Sequence, residues 1–198
     1  MMQDLVTIDS NQPIWDRFFT VFPLVLVGTR EPDGEYDLAP KHMAMPMSWQ
    51  NFYGFVCAPH HRTYQNILRE KVFTVSYPKP TQLVLASLAA APRCEDDSKA
   101  SLKALATFPA RVIDGLFVED AYLFLECALE RVVDGFGVNS LIIGRVVAAY
   151  VEETALRSSD RDDQEIIYHT QLLAYLAPGR TATIRESYSF PFPKDFKR

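Results

Sequence analysis

Residues 37–67 read DLAPKHMAMPMSWQNFYGFVCAPHHRTYQNI and hold three of the chain's four histidines. Within them NFYGFVCA (51–58) is an apolar, aromatic run of strand length. The following HRTYQNILREK sets Tyr64, Ile67 and Leu68 at helical spacing, so a strand feeds directly into a helix start. Before that strand, EYDLAPKHMAM reads as a returning strand, which Pro40 confines to an edge or a bulge because it donates no ladder hydrogen bond.

Working outward, VFPLVLVGT (21–29) is a buried strand ended by EPDGE, where Asp33-Gly34 supplies a hairpin turn. A short helix is expected within residues 11–19. KVFTVSYP is a further strand. TQLVLASLAAA and SKASLKALATF have helical patterns, separated by the polar loop PRCEDD, with Ser98 as N-cap. AYLFLECALERVVD is long enough to bend around a barrel, and NSLIIGRVVAAYVEE carries Gly144 for a bulge or a close approach. Leu156 to Gln164 reads as a charged surface loop or a short helix, and QLLAYLAPGRTATIRESYSF supplies closing elements. Helices are inserted between strands rather than alternating with them, which excludes a doubly wound sheet. The reading is mainly β, a closed antiparallel barrel with a few covering helices, as one domain over residues 1–198.

Composition narrows the function. With 48% hydrophobic and 23% charged residues the chain is globular, and thirteen Phe and nine Tyr supply a large core. The net charge of −5 is interspersed, and the basic tail Lys194 to Arg198 is too short to bind nucleic acid. The N-terminus lacks the basic and apolar regions of a signal peptide, and no apolar run is long enough to span a bilayer, so a cytoplasmic protein is expected. Cys57, Cys94 and Cys127 fit neither a disulfide framework nor a zinc site, and the histidines offer no metal spacing.

The chain has no GxSxG elbow, phosphate loop, HExxH or GxGxxG. Gly135-Phe136-Gly137 is a turn. The start of the 62–70 helix is more informative: unpaired N–H groups, the Thr63 hydroxyl and the Arg62 guanidinium can make a phosphate site, although from the residues alone Thr63 as N-cap and Arg62 as a solvated charge is the commoner arrangement. Around Pro40, backbone groups are free to face a planar ligand, or the proline and Lys41 simply protect an edge. His42 has an apolar setting, which is more commonly that of a satisfied core histidine.

Taken together, the order of these segments resembles the flavin reductase-like family. The shared features are LVLVGT, the Asp33-Gly34 hairpin, the turn Asp37-Leu38-Ala39-Pro40 and Gly54-Phe55 in a strand. Arg62, Thr63, Asn66 and Ile67 at a helix start, FTVSYP, Leu125-Glu126-Cys127, IGRVV at 143–147 and YLAPGR at 175–180 follow in the same order. The resemblance covers roughly residues 20 to 185. It implies an antiparallel, Greek-key-like split β-barrel that binds FMN. The activity implied is an oxidoreductase, a flavin reductase taking hydride from NADH or NADPH and passing electrons to an acceptor. It also implies a homodimer, with small-molecule flavin and nicotinamide as partners and neither nucleic acid nor membrane. Carried over residue by residue, Ala39, Pro40, Lys41, His42 and Met43 would lie along the isoalloxazine with Thr29 close to it. Arg62 and Thr63 would hold the phosphate, flanked by Ala58 and His61 and braced by Asn66. The sequence departs from the family where Asp37 replaces an asparagine and His42 a serine, and where Val138-Asn139-Ser140 replaces a G-D-H. His42 and His169 are the candidates to supply the missing imidazole. A split-barrel flavoprotein with another donor or substrate, and a flavin-holding protein without turnover, are the alternatives.

Overall fold

In the computed structural model, which describes residues 5–95 and 98–194, the chain forms twelve strands and three α-helices. The strands are β1 (Thr20–Pro23), β2 (Val25–Arg30), β3 (Tyr36–Lys41), β4 (Ala44–Pro46), β5 (Phe52–Cys57) and β6 (Val72–Tyr77) in the first half. The second half holds β7 (Thr107–Pro109), β8 (Leu116–Val118), β9 (Leu123–Phe136), β10 (Asn139–Val151), β11 (Leu172–Ala177) and β12 (Arg180–Ile184). The helices are α1 (Arg62–Glu70), α2 (Leu83–Leu88) and α3 (Asp163–Thr170).

Seven strands make one antiparallel sheet in the order β3-β2-β6-β9-β10-β5-β4. Laid flat, its outer strands would stand roughly 29 Å apart, at about 4.8 Å per strand. Yet β3 and β4 are joined through His42 and Met43 alone, and three residue steps reach about 11 Å at most. The sheet must therefore curl until its two edges meet, which is a split barrel. Phe55, Phe73, Val75, Leu125 and Ile142 fill the interior, and α1 adds Tyr64 and Ile67 to the same core. Burial of Ile67, fully inaccessible to solvent, stabilises by about 1.5–3 kcal/mol. β1, β11 and β12 form a second sheet, and a smaller apolar cluster around Leu26, Leu38, Ala86 and Leu105 seats α2 against the outside of the barrel.

The Asp33-Gly34 hairpin forms, with Gly34 at φ 92° and Arg30 opposite Tyr36. Gly144 serves both expected purposes. The β9–β10 register shifts beside it, and a Cβ there would stand 2.6 Å from the Phe73 ring.

Several elements differ from expectation. The returning strand 35–45 is two strands on opposite edges of the sheet, broken at the His42–Met43 bend. The 21–29 run divides at Leu24, and β1 joins the second sheet. Residues 11–19 form turns rather than a helix, because Pro13 pushes Gln12 out of the helical region. The helix expected over 98–108 is a 3₁₀ turn, Ala100–Ala104, with Lys99 rather than Ser98 at its N-cap, and Thr107 and Phe108 pair with β8. Of the basic tail, residues 195–198 lie outside the described residues, as do Asp96 and Asp97 of the polar loop. No described helix is long and apolar enough to cross a membrane.

Candidate functional site

α1 presents Thr63, Tyr64, Asn66 and Ile67 to the core and Gln65, Leu68 and Arg69 to solvent. Its N-cap is His61, whose side chain makes no capping bond, and its first turn holds no acidic residue. Tyr64 and Gln65 donate their N–H groups to the His61 carbonyl, whereas the Thr63 N–H has no partner among the described residues. Thr63 is therefore not an N-cap, and the helix start keeps an unmet donor and its positive dipole end. Arg62 is half-buried beside it, and Ala58 is buried at the end of β5.

The end of β3 reaches this helix start. The Lys41 ammonium acts on both Cys57 and His61. Burial pushes the Cys57 thiol up, with Lys41 and the Tyr64 N–H working against it. Burial, then Lys41 and His60, hold the His61 imidazole below its ordinary value. The Cys57 Sγ lies 4.0 Å from His61 Nδ1. Cys127, in the core, is pushed up to about 12 by burial and is inert.

β3 is the outermost strand of its sheet, so one edge carries no partner. Lys99 Nζ donates to the Leu38 carbonyl at 3.0 Å. Carbonyls two residues apart point to the same side of a strand, so the Pro40 carbonyl also faces the open edge, and the missing proline N–H costs no ladder bond. Ala39 pairs with Val27 on the other side. Met43 is 42% exposed beyond the bend. His42 packs its ring against Tyr175, centroids 4.5 Å apart, and Phe22, 5.7 Å. Burial first, and Lys41 second, hold its imidazole below the ordinary histidine value.

Deeper in, Asn66 Nδ2 donates to Thr29 Oγ1 at 3.1 Å, and both residues are buried. The Asn66 Oδ1 has no partner although it is buried. Native interiors seldom leave such an acceptor unmet, and one that is unmet marks a place for a missing donor. Asp37, 4% exposed, is held by Lys99 at 3.0 Å and by Arg93 at 3.6 Å, and Arg93 also pairs with Glu31. These two cations explain how an acid can stand where the family has an asparagine. Lys99 and Arg93 were not singled out from the sequence. The only sign was a buried aspartate, which requires a counter-charge.

The predicted residues thus converge in one region, Thr29, Ala39 to Met43, Ala58, His61 to Thr63 and Asn66, with one exception. His169 lies on α3, exposed, and its ring meets only Tyr168 among the described residues. At the β9–β10 turn, where the family's histidine would fall, Ser140 donates to Asp134 at 2.5 Å and pairs across the sheet with Cys57.

A curled antiparallel sheet split between β3 and β4, with a helix start and an open strand edge meeting at the split, defines a split-barrel protein. The chain belongs to the flavin reductase like domain family, whose model matches residues 19–176. A flavin-related oxidoreductase role and a flavin ligand come with that membership. The fold is shared with solved structures at low identity. Nitrilotriacetate monooxygenase component B from Bacillus cereus is 20% identical, with a TM-score of 0.80 over 95% of this chain and 100% of that one. Flavoredoxin from Methanosarcina acetivorans is 18% identical, with a TM-score of 0.77 over 96% and 97%. An FMN-binding protein from Thermus thermophilus, solved with 1-cyclohex-2-enone, is 20% identical, with a TM-score of 0.73 over 95% and 99%.

The residues present fit such a ligand. A phosphate requires donors and positive charge, which the open Thr63 N–H, Arg62, Lys41 and His61 offer. A flavin's polar edge and ribityl chain require donors and acceptors, which Asn66 Oδ1 and the β3 edge offer.

Proposed function

We propose that this protein is an FMN-dependent oxidoreductase of flavin reductase type, using NADH or NADPH as donor, with its site at the junction of β3 and α1. The observation that carries the reading is the buried, unpartnered Asn66 Oδ1 beside the uncapped start of α1. Arg62, Thr63 and Lys41 bind the phosphate. The open edge of β3, from Leu38 to His42, orients the ring, with Thr29 and Asn66 behind it. When bound, FMN supplies the hydride-accepting chemistry that none of these side chains has. His42, its ring tilted against Tyr175, would move a proton at the ring. A cleft of about 540 Å³ beside β3, lined by Tyr36, Leu38, Lys99 and Lys103 among others, leaves room for a second substrate.

The molecule acts as a single domain and as a homodimer. The long β9–β10 hairpin exposes Phe136 at 57%, Val138 at 77% and Val147 at 43%, an apolar surface suited to a second copy. A reading with a different donor is favoured by the same hairpin, since Ser140 stands bonded to Asp134 where an imidazole would meet nicotinamide.

Anaerobic titration of the FMN-loaded protein with NADH and with NADPH tests the assignment. Bleaching of the flavin bands faster than for FMN in free solution is expected with at least one of them. Equal rates with both overturn the nicotinamide assignment, and a colourless protein that takes up no FMN overturns the flavin site.

A further inference from the structure

Two elements meet at one buried sulfur beside the start of α1. His61 Nδ1 stands 4.0 Å from the Cys57 Sγ at the end of β5. Lys41, arriving from β3, is hydrogen-bonded to the same thiol. With Nδ1 turned to the sulfur, Nε2 lies on the other side of the imidazole, and His61 as a residue is exposed. The charges around this ring come from every element packed against it. β3 brings Lys41, β5 brings Cys57, and the loop before the helix brings His60, ring centroids 4.4 Å away. α1 itself carries Arg62 and Tyr64 and has no acid in its first turn. Beyond Tyr64, the Asp134 carboxylate is occupied by two hydroxyls, those of Tyr64 at 3.1 Å and Ser140 at 2.5 Å. His61 makes no ion pair among the described residues.

Without a counter-ion, and beside a fixed ammonium, a second positive charge is disfavoured on this imidazole. A phosphate monoester, carrying about −1.5 to −2 near pH 7, supplies the charge that is missing. We propose that His61 takes up a proton when the flavin phosphate binds at the start of α1, so that flavin affinity weakens as the pH rises. The proposal rests on the flavin reading above and adds to it a proton that enters with the ligand. Its sign follows from the charges. The imidazole binds its proton more tightly with the phosphate present than without it. The gain in affinity is complete below the free-site value and is lost as pH rises through the phosphate-bound one. Between the two, affinity falls by up to about tenfold per pH unit.

The test follows the His61 ring signals of the full chain by NMR over a pH titration, with and without saturating FMN. Calorimetry of FMN binding in two buffers of different ionisation enthalpy counts the protons taken up, above the phosphate's own titration at about pH 6. The expected result is that the His61 midpoint moves to higher pH with FMN and that binding takes up a fraction of a proton. His61→Gln is expected to remove the uptake while FMN still binds, and riboflavin, which lacks the phosphate, is expected to bring in no proton. An unmoved His61 midpoint in protein saturated with FMN overturns the proposal and leaves the flavin site standing. So does an uptake that persists in His61→Gln, which would put the proton on His60 or elsewhere, or an equal uptake with riboflavin. Failure of the protein to take up FMN at all overturns the flavin site and this inference with it.

Discussion

Two buried polar centres of this molecule are built on opposite plans. Glu126 on β9, fully buried, accepts the N–H groups of Arg111, Val112 and Ile113 at 2.8–2.9 Å and the Tyr150 hydroxyl at 2.9 Å. Asn66 on α1, equally inaccessible, donates once to Thr29 and leaves its oxygen with nothing. The first centre is complete without any ligand and staples the 110–115 loop to the barrel. The second is complete only when something else supplies a donor. A buried polar group whose partners are all present reads as architecture, and one left short is where a ligand or a water can bond.

The comparison breaks most visibly at Glu126. Glu126→Ala is expected to destabilise by about 3 kcal/mol or more, because each buried donor left unpaired costs about 1–3 kcal/mol. Urea unfolding measures it, and FMN affinity of the folded fraction is expected to hold. Next comes Arg62→Ala, which is expected to weaken FMN binding by about 1.5–3 kcal/mol, the scale of a hydrogen bond to a charged group. An unchanged dissociation constant removes Arg62 from the phosphate site. Asn66→Ala sharpens the contrast. It forfeits one neutral hydrogen bond of about 1 kcal/mol but also relieves an unmet acceptor, so FMN affinity should fall more than stability does. Equal losses, read by flavin fluorescence and by urea, would make Asn66 a structural residue like Glu126.

A smaller effect concerns pH. Burial raises the Glu126 carboxyl, but the three N–H groups and Tyr150 outweigh it and hold the group below the ordinary carboxylate range. The folded state therefore binds that proton less readily than the unfolded chain does. The contribution is present above the unfolded value and is lost as pH falls through the folded one. Stability of the wild type should decline as the solution is acidified through that window, and Glu126→Gln should flatten the decline.

Both elements that carry the proposed site, α1 and β3, were legible in sequence, for local reasons. Tyr64 and Ile67 recur at the helical period, and Pro40 marks an edge strand, so α1 and β3 could be placed from neighbours alone. The bend at His42–Met43 could not, because it exists only once the barrel closes and forces one apolar run onto two edges. Contacts remote in the chain were equally hidden. Lys99 meets Asp37 across 62 positions, and Asn66 meets Thr29 across 37. The Glu126 staple was invisible because its donors are backbone amides, which every residue but proline carries. His169 came from the scarcity of imidazoles, and scarcity says nothing about where a helix lies.

The central claim is that the start of α1, with its open Thr63 N–H, receives the flavin phosphate. Backbone amide NMR of the ¹⁵N-labelled protein during titration with FMN tests it most directly. The account expects one saturating equivalent, with the largest downfield movement at Thr63 and companion shifts at Arg62, Lys41 and the Asn66 side-chain amide. Saturation with those signals unmoved, and shifts confined to the cleft around Lys103 and Thr107, would contradict it.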